Sequence, residues 1–419
     1  MNRTCLVAGL ALAGLCCFLP ARAAEITEVI DAADGDDPFD FNIDIGFRSL
    51  LNRSKITHEW ASAWSNGNRP DYNELRFQQQ VYRMDYTIEI GLYHDLELYV
   101  NLPWIISDNK SISFVKGVSN SFSTVYQSNP DASFPGNSVA LDPSSNPSTK
   151  RSGIGDMQVG IKWAPFNDER DDTKSVWIVG LDYRIPSGSL IKPQDIVGGS
   201  KGGVGMGQHV LTPFMMFSHR FSVLDPYVGV WASIPIQGSQ AKKIGLTEPY
   251  QGGFFAGMEI VPWENTEKHQ KFAIDVRLST DYVAEADSEG DPNKRGTYTE
   301  LSDFLVCTYC TAQSPGSDPA DYRQLQAQSN FGRFGLHLGF TVRAAEFVRF
   351  RAGVSLAHQT EHFISGADYC QDVTGEGDCG QAADIDNQFF NPIYDEPGRR
   401  LRVEETTMFT YWVTGMATF

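Results

Sequence analysis

Several groups of residues have the types and spacings that metal, redox or nucleophilic chemistry uses. His358, Glu361 and His362 match the zinc-binding pattern H-x-x-E-H. That pattern works on a helix, where residues four apart share a face. Here it ends an alternating, strand-like run, which would hold the two imidazoles about 13 Å apart. Zinc is therefore set aside, and the two read as rim or interface histidines. Of the seven cysteines, Cys307, Cys310, Cys370 and Cys379 lie beyond the N-terminal leader. An even number in an exported chain favours two disulfides. Local pairing (307–310, 370–379) and pairing between loops both fit. A four-cysteine zinc site is the rival, but its spacings are irregular, and the Cys-x-x-Cys lacks a thioredoxin-like setting. Asp287, Glu289, Asp291 and Asn293 alternate like calcium ligands, yet Gly290 falls two places early and no terminal Glu follows. A solvated acidic loop is the plainer reading, with calcium or lipopolysaccharide-bridging cations as the sharper one. The metal expectation is none, and no cofactor is implied.

The remaining charges are more orderly. Arg83, Asp85, Glu89, Glu97, Lys162, Asp182, Arg184, Asp275, Arg277, Arg349, Arg351 and Arg402 recur at alternate positions, each among residues of opposite parity that are apolar. Trp231 shares their face. A period of two is a strand with one apolar and one polar side. Twelve such segments occur. They begin with Phe39 to Ser49 and continue through Tyr82 to Ile90, Asp95 to Leu102, Asp156 to Trp163, Trp177 to Arg184, and a poorly alternating one near Met206 to Phe221. The rest are Tyr227 to Ile234, Gly252 to Pro262, Phe272 to Ser279, Arg333 to Arg343, Val348 to Leu356, and Leu401 to the last residue.

Their connections alternate in length. Long ones fall at 52–74, 106–152, 187–205, 237–250, 285–329 and 365–400, and short ones near His94 and at 166–174, 222–225, 264–270 and 344–346. An even number of alternating strands with that asymmetry predicts an all-β, transmembrane, antiparallel up-and-down barrel, with long extracellular loops and short periplasmic turns. A β-sandwich has no reason for it. Trp163, Trp177 and Trp263 then fall at the periplasmic strand ends as an aromatic girdle.

Composition agrees. The chain has 419 residues, a net charge of −18 and 12% aromatic residues. Nucleic acid is a poor partner for that charge. No stretch after the leader is long and apolar enough for a helical span. Residues 1–23 read as a signal peptide: Arg3, an apolar run to Leu19, and Ala21-Arg22-Ala23 for cleavage. A lipoprotein is the rival, but neither Leu15 before Cys16 nor Cys16 before Cys17 is the small residue expected there. The acidic stretch 24–38 is placed in the periplasm as a tail, or enters the barrel as a short plug; 39–419 is the barrel.

The last strand resembles the C-terminal strand of bacterial outer-membrane barrels, with Phe409, Tyr411 and Phe419 on its apolar face. The resemblance implies outer-membrane localisation, lipid and lipopolysaccharide as surroundings, and the barrel-insertion machinery as a partner. Gly153-Ile154-Gly155-Asp156 opens one strand and Pro186-Ser187-Gly188 closes the next. This hairpin resembles the outer-membrane transporter family associated with phenol meta-cleavage (MetA-pathway) operons. That likeness implies a barrel passing small molecules, hydrophobic or aromatic ones among them. Two other readings are kept. One is a structural or docking barrel of an envelope assembly that binds partner proteins. The other is an enzyme like the twelve-stranded outer-membrane phospholipases, which need a His–Ser pair. His219 and Ser222 stand at opposite parity in a turn, and 328–333 is only faintly suggestive, so no catalytic residue is assigned and an enzyme is not expected.

Overall fold

A computed structural model describes residues 24–30, 40–59, 72–119, 143–167, 175–191, 203–286, 296–304, 325–365, 370–371, 385–386 and 400–419. The leader 1–23, residues 31–38, the acidic loop 287–293, Cys307, Cys310 and Cys379 lie outside these, as does the side chain of Cys370.

Twelve strands form the barrel: β1 (Phe41–His58), β2 (Tyr72–Tyr93), β3 (Leu96–Phe114), β4 (Met157–Phe166), β5 (Val176–Ile185), β6 (Gln208–Ser218), β7 (Leu224–Gln237), β8 (Gln251–Asn265), β9 (Gln270–Val283), β10 (Phe331–Ala345), β11 (Val348–Gln359) and β12 (Leu401–Thr418). Each pairs antiparallel with the next, and β12 returns to β1. Closure matters physically, because an open sheet edge in hydrocarbon would leave a row of backbone groups unsatisfied. The seam is finished at the chain terminus, where Phe41 and Phe419 exchange backbone hydrogen bonds of 3.1 and 2.9 Å and stack their rings 4.9 Å apart.

The phase of every strand follows the alternation. Ile43, Ile45, Ile88, Val179, Leu181, Val230, Leu278, Phe340, Leu356 and Val413 are exposed on the outer wall, while Asn42, Asp44, Glu97, Glu259 and Arg349 are buried within. An apolar outside around a polar inside is the pattern of a barrel that uses lipid as its outer solvent.

Strand lengths depart from the sequence reading. β1 runs on to His58 and β2 begins at Tyr72, so the connection drawn as 52–74 is mostly strand. A short strand, Ser148–Ile154, pairs with β3 where the sequence suggested only loop. The alternation is lost in these extensions because the inner face stops being polar. Ile56, Leu75 and Phe77 keep the inward parity of Asp44 and Arg83, and Ile112 faces inward after a register shift in β3 at Ile105–Ser107; they form an apolar cluster with Leu301, Phe304, Ile364, Leu401 and Val403. On β12 the parity itself shifts. A bulge at Glu405, whose φ is 50°, turns Val403 and Leu401 inward although their odd numbers match outward-facing Phe409 and Tyr411. Arg402 is therefore not on the lumen face. It sits opposite Val403 in parity and pairs with Glu404 at 2.5 Å.

Candidate functional site

The turn end of the barrel is closed from inside. Residues 24–30 enter the lumen instead of trailing below it as a periplasmic tail, and cross from one wall to the other. Ala24, Thr27 and Val29 are buried. The Glu25 N–H donates to Glu259 of β8 at 3.0 Å. Thr27 shares a hydroxyl hydrogen bond of 2.8 Å with Ser218 of β6. Val29 packs on Ala164, Val176 and Ile178 of β4 and β5. The Ile30 N–H donates to Glu97 of β3 at 3.1 Å.

The two carboxylates of this floor meet a row of cations. Glu25 accepts from Arg349 at 2.6 Å and Arg351 at 3.2 Å, and Lys271 stands 3.5 Å away. Glu28 takes the other arm of Arg349 at 2.7 Å and Arg343 at 3.3 Å. Burial alone would push the Glu28 carboxyl up; Arg349, Arg343 and Arg351 outweigh it and hold it well below the usual carboxylate range. An acidic leader segment and a basic patch on β9 to β11 are thus two halves of one latch.

The loop end is closed by chain folded back over the mouth. Asp303 is fully buried and accepts from Arg151 at 2.7 Å, with Lys110 at 3.2 Å. Arg151 also donates to the Tyr298 hydroxyl at 2.8 Å and the Gly203 carbonyl at 2.9 Å. The apolar cluster around Ile56 adjoins this network, farther toward the loop end. A second one, Leu190, Ile191, Ala241, Ile244 and Leu246, joins two further loop segments. The transporter-like hairpin motif has a mechanical part here. The Asp156 carboxylate accepts from the N–H groups of Gly188 and Met206, each at 2.9 Å, and so ties the loop after β5 to the start of β4.

Between the closures lies a chamber of about 590 Å³. Of the residues expected on the lumen face, Arg83, Asp85, Glu89, Lys162, Asp182, Trp231 and Arg351 line it, with Ile26 of the floor segment below. Glu97 and Arg349 are taken up by the floor instead. Asp275 accepts from the Tyr227 hydroxyl, and Arg184 pairs with Glu248 of an outer loop.

Sequence reasoning missed the aromatic lining. Tyr99, Phe214, Phe255 and Trp412 also face the chamber. Each stands directly across from a glycine on the neighbouring strand: Tyr99 from Gly160, Phe214 from Gly180, Phe255 from Gly229, Trp412 from Gly353, and likewise Trp231 from Gly253. A side chain at Gly353 would put its Cβ 2.7 Å from the Trp412 ring. The rings therefore lie flat on the wall in the space the glycines leave, and the lumen stays open. Inward glycines paired with inward aromatics were the available signal, but it appears only once strand register is known.

The other expected residues are placed as follows. Trp163 and Trp263 are half exposed on the outer wall at the turn end, and Trp177 stacks on Phe166 at 5.9 Å. Phe409, Tyr411 and Phe419 are exposed on the outer face of β12. His358 is on β11, while His362 is buried and stacks on Phe331 at 4.1 Å, so the H-x-x-E-H residues are extended and apart. His219 bonds Ser175 at 3.2 Å rather than Ser222. A different pair, Ser279 and His337, meets in the lumen at 3.1 Å. Among the described residues no carboxylate holds the other imidazole nitrogen, which a nucleophile–base pair would need.

No family model matches this chain, and neither does any curated protein. Solved structures do resemble it at the level of the whole barrel. A FadL homologue of Pseudomonas aeruginosa is 9% identical over 90% of each chain, with a TM-score of 0.33. The outer membrane protease OmpT of Escherichia coli is 8% identical over 94% of this chain and 100% of its own, at 0.31. The toluene transporter TodX of Pseudomonas putida is 8% identical over 90% of each chain, at 0.32.

Proposed function

We propose that this protein is an outer-membrane channel through which small molecules pass by way of a chamber closed at both ends. One observation carries the reading: the lumen is not packed solid, but holds a chamber of about 590 Å³ with Ile26 of the floor segment among its lining residues. A purely structural barrel gains nothing from glycine–aromatic pairs that keep its interior clear. In this reading the loop end faces outward and the turn end faces the periplasm. The floor segment is the inner gate. Trp163, Trp177 and Trp263 anchor the inner lipid interface, and Phe409, Tyr411 and Phe419 form the strand read by the insertion machinery. The solutes are small, and the ring-lined wall suits hydrophobic or aromatic ones.

Planar-bilayer recording tests this. The purified full chain is expected to conduct in sparse openings, and a variant lacking residues 24–38 to conduct continuously. A correctly folded barrel that neither conducts nor admits solute into liposomes, with or without the segment, overturns the proposal.

A further inference from the structure

The chamber wall sorts its charges by height. On the β1–β2 pair, Asp44 and Glu89 lie toward the floor, and higher up Arg48 stands directly opposite Arg83. Like charges face to face across a strand pair are unfavourable. Arg83 has a counter-charge, Asp85 at 2.7 Å. Arg48 has no ion-paired carboxylate among the described residues; the charges near it are the cations Arg83 and Arg277 and the one carboxylate Asp85, which Arg83 already pairs. Arg277, on β9, pairs in register with His337, and its guanidinium lies 5.7 Å from the Phe255 ring centre. It too has no ion-paired carboxylate among the described residues.

The acidic and basic groups differ in one respect. A crowded carboxylate can relieve itself by taking up a proton; a guanidinium does not give one up. The upper cluster is thus the one that calls for an outside counter-ion. A guanidinium fork matches a carboxylate in shape as well as charge. The neighbouring wall is flat and aromatic. Trp412 is the cross-strand partner of Arg48, and Trp231 and Phe255 line the same chamber. Its volume falls within the roughly 300–1,000 Å³ of small-molecule sites.

We propose that the chamber is a binding station for small aromatic carboxylates, with Arg48 holding the carboxylate, Arg277 adding its charge from beside the Phe255 ring, and Trp231, Phe255 and Trp412 holding the ring. Its place in transport rests on the channel reading above; the binding itself does not.

The test is titration of the intrinsic tryptophan fluorescence of the folded full chain with benzoate, benzamide and inorganic phosphate at low salt. Benzoate is expected to bind saturably, with benzamide and phosphate each at least about ten-fold weaker, the loss of one good charge pair. Arg48→Gln and Arg277→Gln should each weaken benzoate about ten-fold and leave benzamide unchanged. Benzamide or phosphate binding as tightly as benzoate, or no binding at all, overturns the assignment. The unmodified protein decides this alone, so a variant that fails to fold does not obscure it. Liposome uptake separates the two proposals. Entry of benzamide and benzoate without preference removes the carboxylate site and keeps the channel. Binding of benzoate without entry of any solute does the reverse.

Discussion

At the turn end, the closure is a short peptide whose two glutamates meet Lys271, Arg343, Arg349 and Arg351. At the loop end it is an apolar cluster drawn from four strands and two returning loops, next to one buried carboxylate between Arg151 and Lys110. Both sit on the inward face of the barrel, the lid against β1, β2, β3 and β12 and the floor chiefly against β3 to β6 and β8 to β11. They differ in what holds them. Apolar burial is non-directional and tolerates small displacements. Charge-assisted hydrogen bonds hold in one geometry and fail together when a charge is removed. A peptide tied in that way can leave as a unit, whereas a lid whose parts are continuous with the strands can only loosen. The difference assigns the moving part to the floor and the static part to the lid.

The largest expected effect breaks the lid. Asp303→Asn removes the carboxylate charge shared by buried Arg151 and Lys110, a loss of about 3–5 kcal/mol for a buried pair broken on one side. Hydrogen exchange should show lost protection at 296–304 and in the outer parts of β2 and β3. The floor is some strand length away and shares no partner with Asp303, so a Thr27→Cys probe at the floor should label no faster. Accelerated labelling would mean that the closures are coupled and the comparison fails.

A smaller effect is expected at the floor. Arg349→Gln removes hydrogen bonds to both Glu25 and Glu28 but leaves Lys271, Arg343 and Arg351 in place. Charge-assisted hydrogen bonds lost in this way cost about 2–3 kcal/mol, which shifts release of the segment roughly 30- to 150-fold. Labelling of Thr27→Cys by an impermeant maleimide, in the Arg349→Gln background, measures it. An unchanged rate would show that packing of Val29 and Thr27, rather than charge, holds the floor.

Much of this comparison was hidden in the sequence, for identifiable reasons. The barrel was legible because lipid demands an apolar outer face at every strand, so Ile43 to Phe47 and Leu336 to Phe340 announce themselves locally. The lid was not, because its inner residues Ile56, Leu75 and Phe77 are apolar on the face that is polar lower down. Both faces then read alike and the alternation disappears. The Glu405 bulge adds a parity change that composition cannot reveal. The Arg151–Asp303 pair joins residues from loops far apart in the chain. The floor was half legible. The acidic character of 24–38 stands out, but Arg349 and Arg351 on β11 read as lumen charges in their own right, Lys271 and Arg343 carry no such signal, and nothing local joins the two.

The smallest effect concerns protons, and its value lies in where nothing should happen. The Glu28 carboxyl is held below its ordinary value when the segment is docked. A group whose value is depressed in the docked state adds stability that is fully present above its free value and is lost as pH falls through the docked one. Release of the floor should therefore be flat from neutral pH down to the ordinary carboxylate range. It should rise as pH falls from the ordinary carboxylate range to the depressed value, across which protonation favours the released segment over the one that Arg349 and Arg343 hold. The apolar cluster at the loop end has no proton to take up, so its part of the lid should stay protected while the floor lets go. Maleimide labelling of Thr27→Cys, quenched and read after brief exposure at each pH, gives the floor profile, and hydrogen exchange at Leu75 and Phe77 gives the lid's. A floor that opens near pH 6 would show that the glutamates are not the latch. Loss of protection at Leu75 and Phe77 over the same pH interval would show that the two closures are one cooperative unit, and the distinction between a moving floor and a static lid would be withdrawn.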